Sequence, residues 1–306
     1  MQIALLLLPD FALIALGAWL RRAFHLGDHF WTGLEKVVYF VLFPALLFNA
    51  ITRQPVQIAS ALPLAMGGAA IMGCGVLLGL AARGLFRLPA MQFASLFQCA
   101  YRFNSYIALA VAGKIHGAAG IAAMGVLCGV TVPIANASAV WMLARHGEKG
   151  LLRELAKNPL ILSTLAGLIW SSLGFGVWEP LRAFLTRLSD ASIALGLISV
   201  GAALKLRGGL SGERVQGAAG YLMAVKLLAL PGVILLLAPQ LGVANVQADV
   251  LLIFATLPVA SSAYILAQRM GGDGAAVAWV ISVTTVIAAF TIPLWLNLGL
   301  HTTVIP

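Results

Sequence analysis

Charge is what this chain has least of. Asp, Glu, Lys and Arg together make up 9% of its 306 residues, and only 10 of those are acidic. A soluble domain carries about 25% charged residues. So small a share cannot cover a water-soluble globule of this size, which excludes a soluble enzyme, a disordered chain and a nucleic-acid-binding domain. Cysteine is scarce as well. Cys74, Cys99 and Cys128 are an odd number lying inside apolar stretches, so packing rather than a disulfide framework is expected of them. The five histidines lie at or beyond the ends of those stretches. His25 and His29 stand at i and i+4 without a third ligand nearby, so no metal and no cofactor is expected.

Apolar residues are what is abundant: they make up 61% of the chain, and the mean hydropathy is +0.99. A membrane-spanning helix needs about 20 mostly apolar residues. Such stretches occur at roughly 3–20, 34–51, 57–82, 91–113, 118–143, 159–176, 189–205, 215–238, 250–268 and 275–298. They are far longer than the ~10-residue strands of a membrane barrel and lack period-two alternation. The expected fold class is all-α integral membrane: ten transmembrane helices with short connections, in a single domain over 1–306. The first stretch has no basic residue before it and Arg21-Arg22 after it, which reads as a retained helix rather than a signal peptide.

The net charge of +9 orients the chain. With the N-terminus outside, the cytoplasmic connections collect Arg21, Arg22, Lys36, Arg83, Arg87, Arg145, Lys149, Arg153, Lys157, Lys205, Arg207, Arg214 and Arg269. The other side has Arg53, Lys114, Arg182 and Arg187. This asymmetry predicts both termini outside. It makes nucleic acid no partner, and membrane lipid a secondary one. Trp19, Trp31, Trp141, Trp178 and Trp295 fall near the expected interfaces, as an aromatic belt would.

Ten spans divide into two fives, repeat 1 over about 1–145 and repeat 2 over about 158–306. Five is odd, so a duplicated unit inserts in opposite orientations. Inverted repeats mark secondary transporters, whose sites lie on discontinuous helices at matching places in the halves. Span 4 is interrupted by the run Gln98-Cys-Ala-Tyr-Arg-Phe-Asn-Ser-Tyr106, and its counterpart, span 9, by Leu257-Pro-Val-Ala-Ser-Ser-Ala-Tyr264. A mid-span Pro258 removes a backbone donor and frees carbonyls that need another partner. Arg102, beside Asn104 and Ser105, is costly in mid-membrane and must face a cavity or a partner. Its planar fork suits a substrate carboxylate. A structural pair with Asp190 or with helix-end carbonyls is the other reading. Lys226, midway in span 8, reads as proton coupling or as a brace for broken helices. Asp10 is the carboxylate most clearly inside an apolar run, hence a proton-coupling candidate or a helix cap. In span 2, Pro44 marks a helix break, and Asn49 is either a site residue or a packing contact.

The motif set resembles the auxin efflux carrier (AEC) family of membrane transporters, in its bacterial branch. The likeness rests on Phe43-Pro-Ala-Leu-Leu-Phe-Asn49, Arg102-Phe-Asn-Ser-Tyr-Ile107, Lys157-Asn-Pro-Leu160, Ile198-Ser-Val-Gly-Ala-Ala-Leu204, and Leu257-Pro-Val-Ala-Ser-Ser-Ala-Tyr-Ile-Leu-Ala267 followed by Met270-Gly-Gly-Asp273. It runs over essentially the whole chain. The resemblance implies a fold like that of plant PIN carriers and sodium/proton antiporters, with helices 4 and 9 broken and crossing at the midplane. It also implies a scaffold and a transport domain, alternating access, commonly a homodimer, and a bacterial inner-membrane location. Its substrates are small organic carboxylates such as malate or malonate, and export is the favoured direction. Asn104 matches the family's crossover Asn. Where many relatives carry Asn after the span-9 proline, this chain has Ser262, so Ser261 and Ser262 are the expected second half of the site. An intramembrane enzyme is not expected: Asp10 and Asp190 lack a Gly-x-Gly-Asp context, and no zinc or diphosphate motif occurs. A passive anion channel is the remaining alternative.

Overall fold

The computed structural model describes residues 2–53, 58–143, 159–205, 210–243, 245–260 and 262–299. Every regular element among them is helical. The chain forms α1 (Gln2–Ala23), then α2 (Asp28–Val37), which runs through a π-helical turn at Val38–Leu42 into α3 (Phe43–Arg53). Next come α4 (Ile58–Phe86), α5 (Ala90–Phe97) and α6 (Ser105–Leu143). The second part has α7 (Pro159–Ser172), α8 (Glu179–Ala202) and α9 (Glu213–Ala224), the last continuing through a second π-helical turn at Val225–Ala229 into α10 (Leu230–Leu237). It ends with α11 (Asn245–Thr256), α12 (Ser262–Arg269) and α13 (Gly274–Gly299). Among the described residues, 7 helices are long and apolar enough to cross a membrane, and two shorter apolar ones lie at Leu162–Ser172 and Val246–Thr256. Large apolar side chains such as Leu77, Leu236 and Phe290 point away from the protein, as lipid contact requires. The connection between the two expected repeats, Arg145 to Lys157, lies outside the described residues.

Helix α6 is two arms. At Gly117 the backbone takes φ 57°, ψ −140°, a conformation open to glycine, and the chain folds back on itself. Close by, a Cβ on Gly120 would sit 2.2 Å from the Ala112 carbonyl oxygen, so the two arms need glycine at that approach. Helices α1, α3, α7 and α8 pack together, α4, α6, α11 and α13 form a second group with α9 and α10, and α6 touches both.

Pro44, expected as a break, leaves its helix continuous. Both π-helical turns are followed at the second position by proline, Pro44 in one case and Pro231 in the other. Proline cannot donate to the carbonyl four residues back, and the wider turn absorbs the mismatch. For Pro231 that carbonyl belongs to Leu227, and it accepts the indole N–H of Trp295 at 2.9 Å. Trp295→Phe removes this indole donor. It is expected to lower stability by about 1 kcal/mol, read as an earlier thermal transition of the detergent-purified protein.

Candidate substrate site at the crossing of two chain breaks

The first break follows α5. A 3-10 turn at Gln98–Ala100 ends at Tyr101, whose φ of −132° leaves the helical region, and α6 restarts at Ser105. The second lies between α11 and α12. Pro258 disfavours helix at Leu257 and brings no N–H of its own. The two breaks touch, the Asn104 backbone N–H donating to the Pro258 carbonyl at 3.0 Å. The Val259 N–H donates to Thr284 Oγ1 on α13 at 3.3 Å. Backbone groups that the two breaks free thus find partners in neighbouring elements, as buried peptide groups require.

Asn104 caps α6. Its Oδ1 accepts the N–H groups of Tyr106 at 3.0 Å and Ile107 at 3.2 Å, which are donors a helix start otherwise leaves unpaired. Its Nδ2 is buried and has no hydrogen-bond partner among the described residues. Arg102 is 6% exposed. It donates through Nη1 to Gln98 Oε1 at 3.0 Å and through Nη2 to Asn136 Oδ1. Both acceptors are neutral amide oxygens, so they orient the guanidinium without cancelling its charge. Asp190 is not its partner.

Around these groups lies a cavity of about 400 Å³. Arg102, Asn104 and Ser105 line it from the first break, and Ala260 and Ser262 from the second. Asn136, on the second arm of α6, contributes from one side, and Glu35, Lys36 and Tyr39 from the α2–α3 rod. The starts of α6 and α12 both border this space, and a helix start carries partial positive charge. The arrangement is suited to a small anion: two cations, Arg102 and Lys36, against the single carboxylate of Glu35, an amide donor unpaired among the described residues, hydroxyls and two positive helix ends.

Four expected site residues therefore meet in one cavity: Arg102, Asn104, Ser105 and Ser262. Ser261 lies outside the described residues. Asn49 stands apart from the cavity, its Nδ2 within 3.3 Å of Ser189 Oγ and 3.4 Å of Thr186 Oγ1, tying α3 to α8. Asp10 stands apart too, with Lys114 Nζ 3.8 Å from its Oδ1. Nearby in sequence, His116 Nε2 lies 3.0 Å from the buried Asp249 Oδ2. Lys226 is fully buried, its Nζ without a hydrogen-bond partner among the described residues and 5.9 Å from the centroid of the Phe254 ring. That ring packs edge-on to Phe103 of the first break, centroids 4.4 Å apart. No cluster of three potential metal ligands occurs among the described residues.

Gln98, Asn136 and the Glu35–Tyr39 face were not singled out in the sequence. Gln98 was visible in the polar run of span 4, and Asn136 as an isolated amide within apolar span 5. Nothing local marked either as a partner of Arg102.

A family model described as membrane transport protein matches residues 142–296. A protein of Rhizobium meliloti (strain 1021) described as "Putative malonate transporter" is 27% identical over 312 residues, covering 95% of this chain and 94% of its own length. The chain, a multi-pass membrane transporter with the motifs of the auxin efflux carriers, belongs to the membrane transport protein family.

Proposed function

We propose that the protein carries small organic carboxylates across the bacterial inner membrane by alternating access, and that the cavity at the chain crossing is the substrate site. The unpaired, buried Nδ2 of Asn104 beside an uncancelled Arg102 carries this reading. A buried donor with no acceptor is unfavourable, and a substrate carboxylate removes that penalty while pairing with the guanidinium fork. The printed description of the Rhizobium relative makes malonate the first substrate to try.

Ten spans in two inverted halves fit the helix order, with an interrupted fourth span made of α5 and the first arm of α6, and an interrupted ninth made of α11 and α12. Both termini lie outside in this reading. The cavity, bordered by Glu35 and Lys36, then opens to the cytoplasm. Lys114 with Asp10, and His116 with Asp249, close the opposite end. The groups α1–α3–α7–α8 and α4–α6–α11–α13 become the scaffold and the moving body. Lys226 braces the crossing through Phe254 and Phe103. The exposed apolar faces contact lipid, and pairing of two copies is part of the same reading.

Malonate counterflow in proteoliposomes tests the proposal. Saturating flux with trans-stimulation is expected, whereas unitary currents would indicate a passive channel. Arg102→Ala removes charge-assisted bonds worth about 1.5–3 kcal/mol and should weaken malonate binding by roughly 10- to 100-fold. Wild-type counterflow in both Arg102→Ala and Asn104→Ala would overturn the site assignment.

A further inference from the structure

Glu35 is the acidic residue lining the cavity. It is half-buried, on α2, and no basic group lies within 4.0 Å of its carboxylate among the described residues. Arg21 on α1 is the cation whose charge reaches it. That guanidinium is already engaged, pairing with Asp28 and donating to the Ala202 carbonyl at 2.8 Å. On its own helix and the π turn after it, Glu35 has Lys36 and Tyr39 as neighbours; on α6, Tyr106; and across the cavity, Arg102. The adjacent end of α8, residues 191–202, brings no titratable side chain.

An anion in this cavity shares it with Glu35. Two negative charges in one cavity of about 400 Å³ disfavour each other, and the usual resolution is that one takes a proton. We infer that Glu35 is the coupling residue of the carrier: it binds a proton when the carboxylate substrate binds at Arg102 and Asn104, and releases it when the substrate leaves. One proton then moves with each anion. The coupling is reciprocal by linkage, so the protonated Glu35 raises substrate affinity by the same factor that substrate raises proton affinity. This rests on the reading of the cavity as a carboxylate site. It also separates two acidic residues by place: Asp10 faces Lys114, whereas Glu35 faces the substrate space.

The test is calorimetric titration of the purified full-length protein with malonate, in buffers of different ionisation enthalpy, from pH 5 to 8. Malonate's own titration is common to all variants and cancels in the comparison. The wild type is expected to take up more protons per malonate bound than E35Q, the difference peaking at about half a proton midway between the titration of Glu35 in the free and in the bound protein, as tenfold linkage requires. Wild-type affinity should fall as pH rises, by about tenfold more than that of E35Q, which mimics the protonated state throughout. E35D is expected to retain proton uptake with a displaced pH midpoint, which keeps the test decisive if E35Q does not fold. Equal proton uptake and superimposable pH profiles in wild type and variants would overturn the role of Glu35 while leaving the carboxylate site standing. A folded E35Q that binds no malonate at any pH would overturn it as well. Absence of malonate binding by the wild type, with R102A indistinguishable from it, would overturn the site and the coupling together.

Discussion

Asn104→Asp is expected to fold as the wild type does and to lose carboxylate transport. The two functions of Asn104 sit on different atoms. Its Oδ1 caps α6 by accepting from Tyr106 and Ile107, and its Nδ2 is the buried donor without a partner among the described residues. Aspartate keeps a capping oxygen, and its charge is favoured at a helix start. The second carboxylate oxygen, however, replaces the donor by an anion at the place where substrate binds. Two unit charges about 4 Å apart at an effective dielectric near 20 repel by about 4 kcal/mol. The expected loss in malonate affinity is therefore on the order of 10³-fold, with little change in thermal stability. Circular dichroism, thermal unfolding and counterflow on the same preparation check both halves. Asn104→Ala provides the contrast, since it loses the cap as well and should be less stable by about 1 kcal/mol. Wild-type affinity in a folded Asn104→Asp protein would place substrate elsewhere.

Gly201→Leu is expected to have the largest effect on folding. The axes of α1 and α8 approach so closely that a Cβ on Gly201 would lie 1.7 Å from the Ile14 carbonyl oxygen, and one on Gly17 would lie 1.9 Å from that of Ile198. Both obstacles are backbone, which no rotamer change can move. The helices must separate, and the Arg21 bond to the Ala202 carbonyl at the end of that contact goes with them. Small residues are what permits such approach between membrane helices, and overpacking of this kind costs about 3 kcal/mol or more. A collapsed yield of monodisperse protein and a strongly lowered unfolding temperature are the expected readings, with Gly17→Leu behaving alike. Gly73→Ala is the control. Its Cβ meets nothing within 4 Å, so the substitution should be neutral, or stabilising by up to about 1 kcal/mol through helix propensity.

These two residues differ in how far the sequence betrayed them. Asn104 was visible because an amide beside an arginine in an apolar run needs a reason. What could not be seen was which of its atoms is spoken for, since that depends on the turn between Tyr101 and Ser105. Gly201 stands in the sequence only as one residue of the Ile198–Leu204 motif. That Gly17 matches it from another helix follows from a crossing that no local pattern encodes. Pro44 and Pro258 make the same point. Both are mid-span prolines, yet a π-helical turn keeps the helix whole at the first, while the chain opens at the second. There the freed groups find Asn104 and Thr284.

Composition and the spacing of apolar runs sufficed for an all-helical membrane protein, because the membrane admits few backbone solutions and a helix satisfies its own peptide groups. The polar interruptions in the fourth and ninth stretches also stood out, because a polar side chain in hydrocarbon is unfavourable without a partner. Only the tertiary structure decided who the partners are. Gln98 and Asn136 hold Arg102, Pro258 receives Asn104, and Glu35 rather than Asp10 borders the cavity. Those choices depend on which helix faces which, and that is settled by close packing of side chains far apart in the chain, long after each helix has met its own backbone requirements.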